Sequence, residues 1–285
     1  MLVEVVTGAD ELGESPVWLA AERRLLRVDI TGQAIVTRDV EAGTETRRTV
    51  DGPVGFALPA RTGLVAGIGR ELRLLPDGSV LGAVEPEQRD NRFNDAACDA
   101  RGRLWAGTMS MTRRGGAAAL YRVTPRGEIA AVLDGATISN GLDWDLDATR
   151  LYYVDSTTQR IDAIDFDLDR GRLGTRRTFA AIDARHGLPD GLAVDAEGGV
   201  WLALFGGGAI RRYRPDGRLD AEVRLPVTNP TSLAFGGPAL DELYVTTARH
   251  RLSTEQLARE PLAGSLLRVR PGVHGRLPHR FGDGF

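Results

Sequence analysis

The stretch "GLPDGLAVDAEGGVWLALF", residues 187–205, decides the fold. Apolar and small residues run from Leu192 to Val194, a polar turn follows, and a second apolar run starts at Val200. That is the pattern of a β-hairpin. It begins, however, with a carboxylate, Asp190, held between Pro189 and Gly191.

The same strand–turn–strand pattern recurs along the chain. The other copies are "SPVWLAAERRLLRVDI", "GFALPARTGLVAGI", "AACDARGRLWAGTM", "GLDWDLDATRLYYVDS" and "SLAFGGPALDELYVTT". Their second strands start at Leu25, Leu64, Leu104, Leu151, Val200 and Leu243, so the spacings are 39, 40, 47, 49 and 43 residues. Paired strands at a period of about 40–50 residues mark the blades of a β-propeller. Each copy is followed by a second hairpin signal, such as "ELRLLPDGSVLGAV" or "IRRYRPDGRLDAEVRL", with Pro-Asp-Gly or Arg-Gly between alternating strands. Two hairpins make a four-stranded blade. The expected fold is therefore all-β, a six-bladed propeller forming one domain over residues 1–285. The segment "VEVVTG" near the N-terminus has no partner in the first copy. It is expected to pair within the last blade and so remove a free edge. One helix is expected in "STEQLAREPLAG", where Ser253 and Gln256 have capping-box spacing and Pro261 ends the run.

Composition narrows the function. The chain is 42% hydrophobic and 26% charged, with a net charge of −3, so no basic surface points to nucleic acid or anionic lipid. Its basic residues other than histidine are all arginine, which excludes lysine Schiff-base chemistry. Cys98 is the sole cysteine, so no intrachain disulfide can form, and its setting in "DAACD" reads as a small buried hydrophobe. No run approaches the ~18 apolar residues of a membrane span, and the N-terminus lacks the features of a signal peptide. A cytoplasmic location is the expectation.

The repeat explains Asp190. Aligned on their first strands, the six copies carry Glu14, Val54, Asn94, Asn140, Asp190 and Thr231 just before the strand. Equivalent positions of innermost strands converge on the propeller axis, so two carboxylates and two amides are expected to meet there. Each alone could be an ordinary turn residue. Together, the carboxylates would repel and be poorly solvated unless a cation joined them. The donors are all oxygen, and none of His186, His250, His274 and His279 lies at an axial position. That favours Ca²⁺, then Mg²⁺ or Mn²⁺, with Zn²⁺ or Fe²⁺ compatible if water fills the remaining positions.

The motifs "GESPVW" (13–18), "RFND" (92–95), "GRLWAGTM" (102–109), "ISNGLDW" (138–144), "LPDGLAVD" (188–195) and "TSLAFGG" (231–237) resemble the gluconolactonase/regucalcin family, also called the senescence marker protein family. The resemblance implies a six-bladed propeller with one divalent metal and the hydrolysis of a small sugar lactone. It implies metal-binding roles for Glu14, Asn140 and Asp190, with Asp190 also the general base, and substrate contacts for Arg92 and Asn94. The chain departs from the family at Ala96, where a glycine is usual, at Arg251, and in "SMTRRGGAA", where Arg113 and Arg114 stand in a segment that carries a substrate-contacting glutamate in some relatives.

Other chemistry finds less support. No G-x-S-x-G elbow is present. "DWDLDATRLYYV" imitates the start of an EF-hand but lacks its glycine and its final glutamate, so it reads as a strand turn. Two further readings stay open: a metal-dependent organophosphate or aryl-ester hydrolase, and a non-catalytic Ca²⁺-binding propeller.

Overall fold

Six four-stranded antiparallel sheets stand around a central channel in the computed structural model of the chain, which describes residues 2–283. The innermost strands of the blades are Gly13–Leu19, Val54–Pro59, Asn91–Cys98, Ser139–Trp144, Leu188–Val194 and Pro230–Gly236. Each blade then runs outward in sequence order, except the sixth. There the outermost strand is Val3–Thr7, which pairs antiparallel with Leu266–Val269 through Val3–Val269 and Val5–Leu267. The expected ring closure is thus present. So is the helix: Thr254–Arg259 carries a full capping box between Ser253 and Gln256 and ends before Pro261. No helix among the described residues is long and apolar enough to cross a membrane.

Neighbouring blades are joined by aromatic contacts at their seams. Trp18 stacks on Tyr244 between the first and sixth blades, and Phe56 meets Phe93 edge-on between the second and third. Trp105 meets Trp144 across the next seam, and Trp201 meets Phe235 between the fifth and sixth blades. Such pairs bury large apolar area with a defined geometry. Trp105 and Trp201 occupy equivalent places and solve the same problem alike. Each indole N–H donates to a carboxylate six residues earlier, Asp99 at 2.8 Å and Asp195 at 2.9 Å. The turns "DARGR" and "DAEGG" owe their aspartates to this and to the turn N–H groups that the same side chains accept.

One expectation needs correction. The six aligned residues do not precede the innermost strands; they lie within them or at their first residue. Every innermost strand has one extra residue relative to its partner at this level, between Glu14 and Val17, Val54 and Phe56, Phe93 and Ala96, Ser139 and Leu142, Pro189 and Leu192, and Pro230 and Ser232. A bulge breaks the two-residue alternation and re-aims a side chain. Six bulges at one level turn side chains toward the axis that a regular strand would send between the blades.

Candidate functional site

The bulges bring Glu14, Arg92, Asn94, Asn140 and Asp190 together at one end of the channel, all buried. Asn140 Nδ2 donates to Asp190 Oδ1 at 2.5 Å and to Ser156 Oγ at 3.0 Å. Arg92 Nη1 donates to Asn94 Oδ1 at 2.9 Å and to the Phe93 carbonyl at 2.8 Å, while Asn94 Nδ2 donates to the Ser139 carbonyl at 3.0 Å. Asn94 thereby ties the third blade to the fourth and fixes the guanidinium. The two remaining aligned residues stay outside the cluster. Val54 is apolar, and Thr231 Oγ1 donates to the Gly13 carbonyl at 2.5 Å, closing the seam between the sixth and first blades.

Charge in this cluster is out of balance. Burial first, then the charges of Asp190 and Asp95, hold the Glu14 carboxyl well above the usual carboxylate range, although the Ser15 N–H and Arg92 oppose this. Burial and Asp95 do the same to Asp190, against its hydrogen bond from Asn140 and the charge of Arg92. Burial lowers Arg92 to about 10, so it remains a cation at neutral pH. Asn140 Oδ1 is buried and has no hydrogen-bond partner. Buried polar atoms are almost always paired, so an orphan needs a reason. Turning the amide over would present that oxygen to the same side as the Asp190 carboxylate. Two mutually repelling carboxylates and an amide oxygen without a donor have the chemistry of a hard-cation site. Grouped only by histidine, cysteine and acid, no three-ligand metal cluster occurs among the described residues; this set depends on its amide.

Local backbone supports the arrangement. Ser15, which donates its N–H to Glu14 Oε2 at 3.0 Å, sits at φ 47° ahead of a proline, a conformation disfavoured on both counts. Strain of this kind collects at working sites. The glycines after Asn140 and Asp190 have a different cause. A Cβ at Gly141 would lie 2.6 Å from the Asp190 carbonyl oxygen, and one at Gly191 would lie 2.7 Å from Ser232 Cα. The second bulge residue therefore touches the next blade, which answers why Asp190 is followed by glycine.

That second position also reveals a residue the sequence reading passed over. Around the ring it is Ser15, Gly55, Asp95, Gly141, Gly191 and Ser232. Five are small, and one is an acid. Asp95 is buried, accepts the Ala96 N–H at 2.8 Å, and is pushed up to about 6 by burial. The signal was present one residue beyond the aligned position. Ser156, the second partner of Asn140, had no such signal: it is the last residue of the fourth copy and opens a short 3-10 turn directly after the strand Arg150–Asp155.

Cys98 is buried and its thiol is pushed up by burial, in keeping with a packing role. The segment carrying Arg113 and Arg114 is an exposed loop between Leu104–Ser110 and Ala118–Val123; Arg114 bonds to Gln88, and no salt bridge engages either arginine among the described residues.

The family model described as "SMP-30/Gluconolactonase/LRE-like region" matches residues 12–249. The chain belongs to this family. It is 37% identical to regucalcin of Xenopus laevis over 289 residues, covering 97% of each protein. Among solved structures it is similar to a luciferin-regenerating enzyme, with 30% identity, a TM-score of 0.92 and 98% of each chain covered. It is likewise similar to a calcium-binding regucalcin of Agrobacterium tumefaciens, with 26% identity, a TM-score of 0.92, and 97% of this chain and 96% of the other covered. The family assigned from the six sequence motifs is therefore the one to which this propeller belongs.

Proposed function

We propose that the protein hydrolyses a sugar lactone to the corresponding aldonic acid with the help of one divalent cation. The observation that carries this reading is the unpartnered Asn140 Oδ1 beside the repelling carboxylates Glu14 and Asp190. Membership of the gluconolactonase-like family supports the reaction, and the calcium-binding Agrobacterium relative supports the ion. Glu14, Asn140 and Asp190 would hold the cation, with Ca²⁺ the first choice for an all-oxygen set and Mg²⁺, Mn²⁺, Zn²⁺ or Fe²⁺ as alternatives. Once held there, it supplies Lewis acidity toward the lactone carbonyl.

The chain's own residues do the rest. Arg92 stays charged, and its Nε and Nη2 donors have no protein partner among the described residues, so they are free for a ring hydroxyl or the nascent carboxylate. Asn94 keeps that guanidinium in place. Asp190 accepts a proton from the water that attacks the carbonyl carbon. As the ring C–O bond breaks, the same proton passes to the departing oxygen. A positioned base of this kind contributes about 10²–10⁴-fold.

The test is to strip the protein with chelator, restore single metals, and assay five- and six-membered sugar lactones beside phosphotriesters and aryl esters. Metal-dependent opening of a sugar lactone is the expected result. Turnover confined to phosphotriesters or aryl esters would reassign the substrate. Tight cation binding with no turnover on any of them would leave a non-catalytic calcium binder.

A further inference from the structure

Two unmet hydrogen-bonding groups belong to neighbouring side chains of the fourth blade. Asn140 Oδ1 is buried and has no donor. Ser156 is 3% exposed, and its Oγ accepts from Asn140 Nδ2 at 3.0 Å. That hydroxyl makes no other hydrogen bond among the described residues, so its own proton has no protein acceptor there. A buried acceptor without a donor and a buried donor without an acceptor each carry a cost.

The backbone puts Ser156 beside Asn140 without help from the hydroxyl. Ser139 pairs with Asp155 across the two inner strands of the blade, and the bulge after Ser139 lifts Asn140 out of the ladder. Ser156 follows Asp155 directly, and its N–H donates to the Ile138 carbonyl at 3.1 Å. The short turn it opens is capped by Asp155, not by Ser156. The Asp155 carboxylate accepts the N–H groups of Thr137 at 3.0 Å and Ile138 at 3.1 Å and the Thr157 hydroxyl at 3.0 Å. Nothing in the frame of this turn uses the Ser156 side chain, which leaves Asn140 as its one partner.

A hydroxyl can accept and can donate, whereas an N–H or a carbonyl can do only one of these. With Asn140 Nδ2 toward Asp190, the Ser156 hydroxyl accepts. With the amide turned over, Oδ1 takes the place of Nδ2, and the same hydroxyl donates to it. Both unmet groups are then satisfied by one another. The turned amide oxygen also stands beside the Asp190 carboxylate, an arrangement that only a cation makes favourable. Groups that hydrogen-bond to a metal ligand orient it and thereby set the affinity of the site.

We infer that Ser156 is a positioning residue of the cation site. Its hydroxyl holds Asn140 in either orientation and, by donating to Oδ1, keeps the amide oxygen turned toward the ion. The inference rests on the cation reading proposed above and on no assumption about the substrate.

The experiment is calorimetric titration of the chelator-stripped protein with Ca²⁺, then Mn²⁺ and Zn²⁺, beside thermal unfolding in chelator. Ser156→Ala should weaken cation binding by about 10–100-fold. Its Tm in chelator should match the wild type, because Asn140 Nδ2 keeps its bond to Asp190. In an Asn140→Ala background, where no amide remains to be held, adding Ser156→Ala should leave the residual affinity unchanged. Wild-type affinity in Ser156→Ala would overturn the inference, and so would a lowered Tm in chelator with affinity intact, the mark of a merely structural hydroxyl. A further loss of affinity in the Asn140→Ala background would also overturn it, since the hydroxyl would then act on the ion without the amide. Absence of cation binding to the wild type would overturn the cation reading as well, which separates the two failures.

Discussion

Asp95→Asn should make the metal-free protein more stable at neutral pH, although it removes a buried side chain's charge and adds no contact. The carboxyl of Asp95 is pushed up by burial to about 6 from an ordinary value of 3.8. Below 3.8 it is protonated in both folded and unfolded chains and contributes nothing. Between 3.8 and about 6 the folded protein holds the proton more tightly, so wild-type stability falls as pH rises through this window. Above 6 the full penalty remains. That gap in proton affinity corresponds to roughly 3 kcal/mol. For a chain of this length, with an unfolding entropy of about 0.6 kcal/mol/K, it amounts to about 5 °C in Tm. Asparagine keeps an oxygen for the Ala96 N–H and carries no charge. Thermal unfolding in chelator at pH 4 and pH 7 is the assay. The variant should match the wild type at pH 4 and melt about 5 °C higher at pH 7. A variant equally or less stable at both pH values would refute the argument, because the buried charge would then carry no cost.

Asp190→Asn should lower kcat by about 10²–10⁴-fold on any lactone turned over; a loss confined to cation affinity, seen by calorimetry beside kinetics at saturating metal, would reject the base role. Gly141→Ala places a methyl group 2.5 Å from the Leu192 nitrogen and 2.6 Å from the Asp190 carbonyl oxygen. It should cost roughly 1–3 kcal/mol in urea unfolding and weaken cation binding, because the strand carrying Asp190 must shift. Asp195→Ala strips partners from the Trp201 indole, at 2.9 Å, and from Arg212, at 2.7 Å, in a fully buried place. A loss of about 3–5 kcal/mol is expected, with turnover per folded molecule unchanged, since Asp195 lies beyond the bulges from the cation cluster.

What the sequence disclosed, and what it withheld, follows from the range of the signals. Blade number was readable because each blade repeats a local pattern, two short apolar strands separated by a polar turn that often bears Asp or Gly. Ring closure by Val3–Thr7 was readable because a strand pattern was left over. The meeting of Asn140 and Asp190, fifty residues apart, was readable because symmetry makes distant positions equivalent. The bulges were not. A single extra residue does not disturb the hydrophobic pattern enough to be seen, and it appears only when two strands are laid in register. Asp95 was missed for that reason, since nothing short of the bulge says that its position faces the channel. The stretch from His274 to Gly282, whose backbone bonds reach Ala196, Leu240, Pro59, Arg61 and Gly102, was missed because irregular chain held to scattered turns leaves no periodic trace.

The pairing of Val3–Thr7 with Leu266–Val269 joins an early and a late strand of the chain in one sheet. The sixth blade can therefore be completed only after Val269 has been made, and the ring stays open until then. The same neighbourhood means that the order of blades along the polypeptide is arbitrary with respect to the finished circle. The fold is a cycle written as a line.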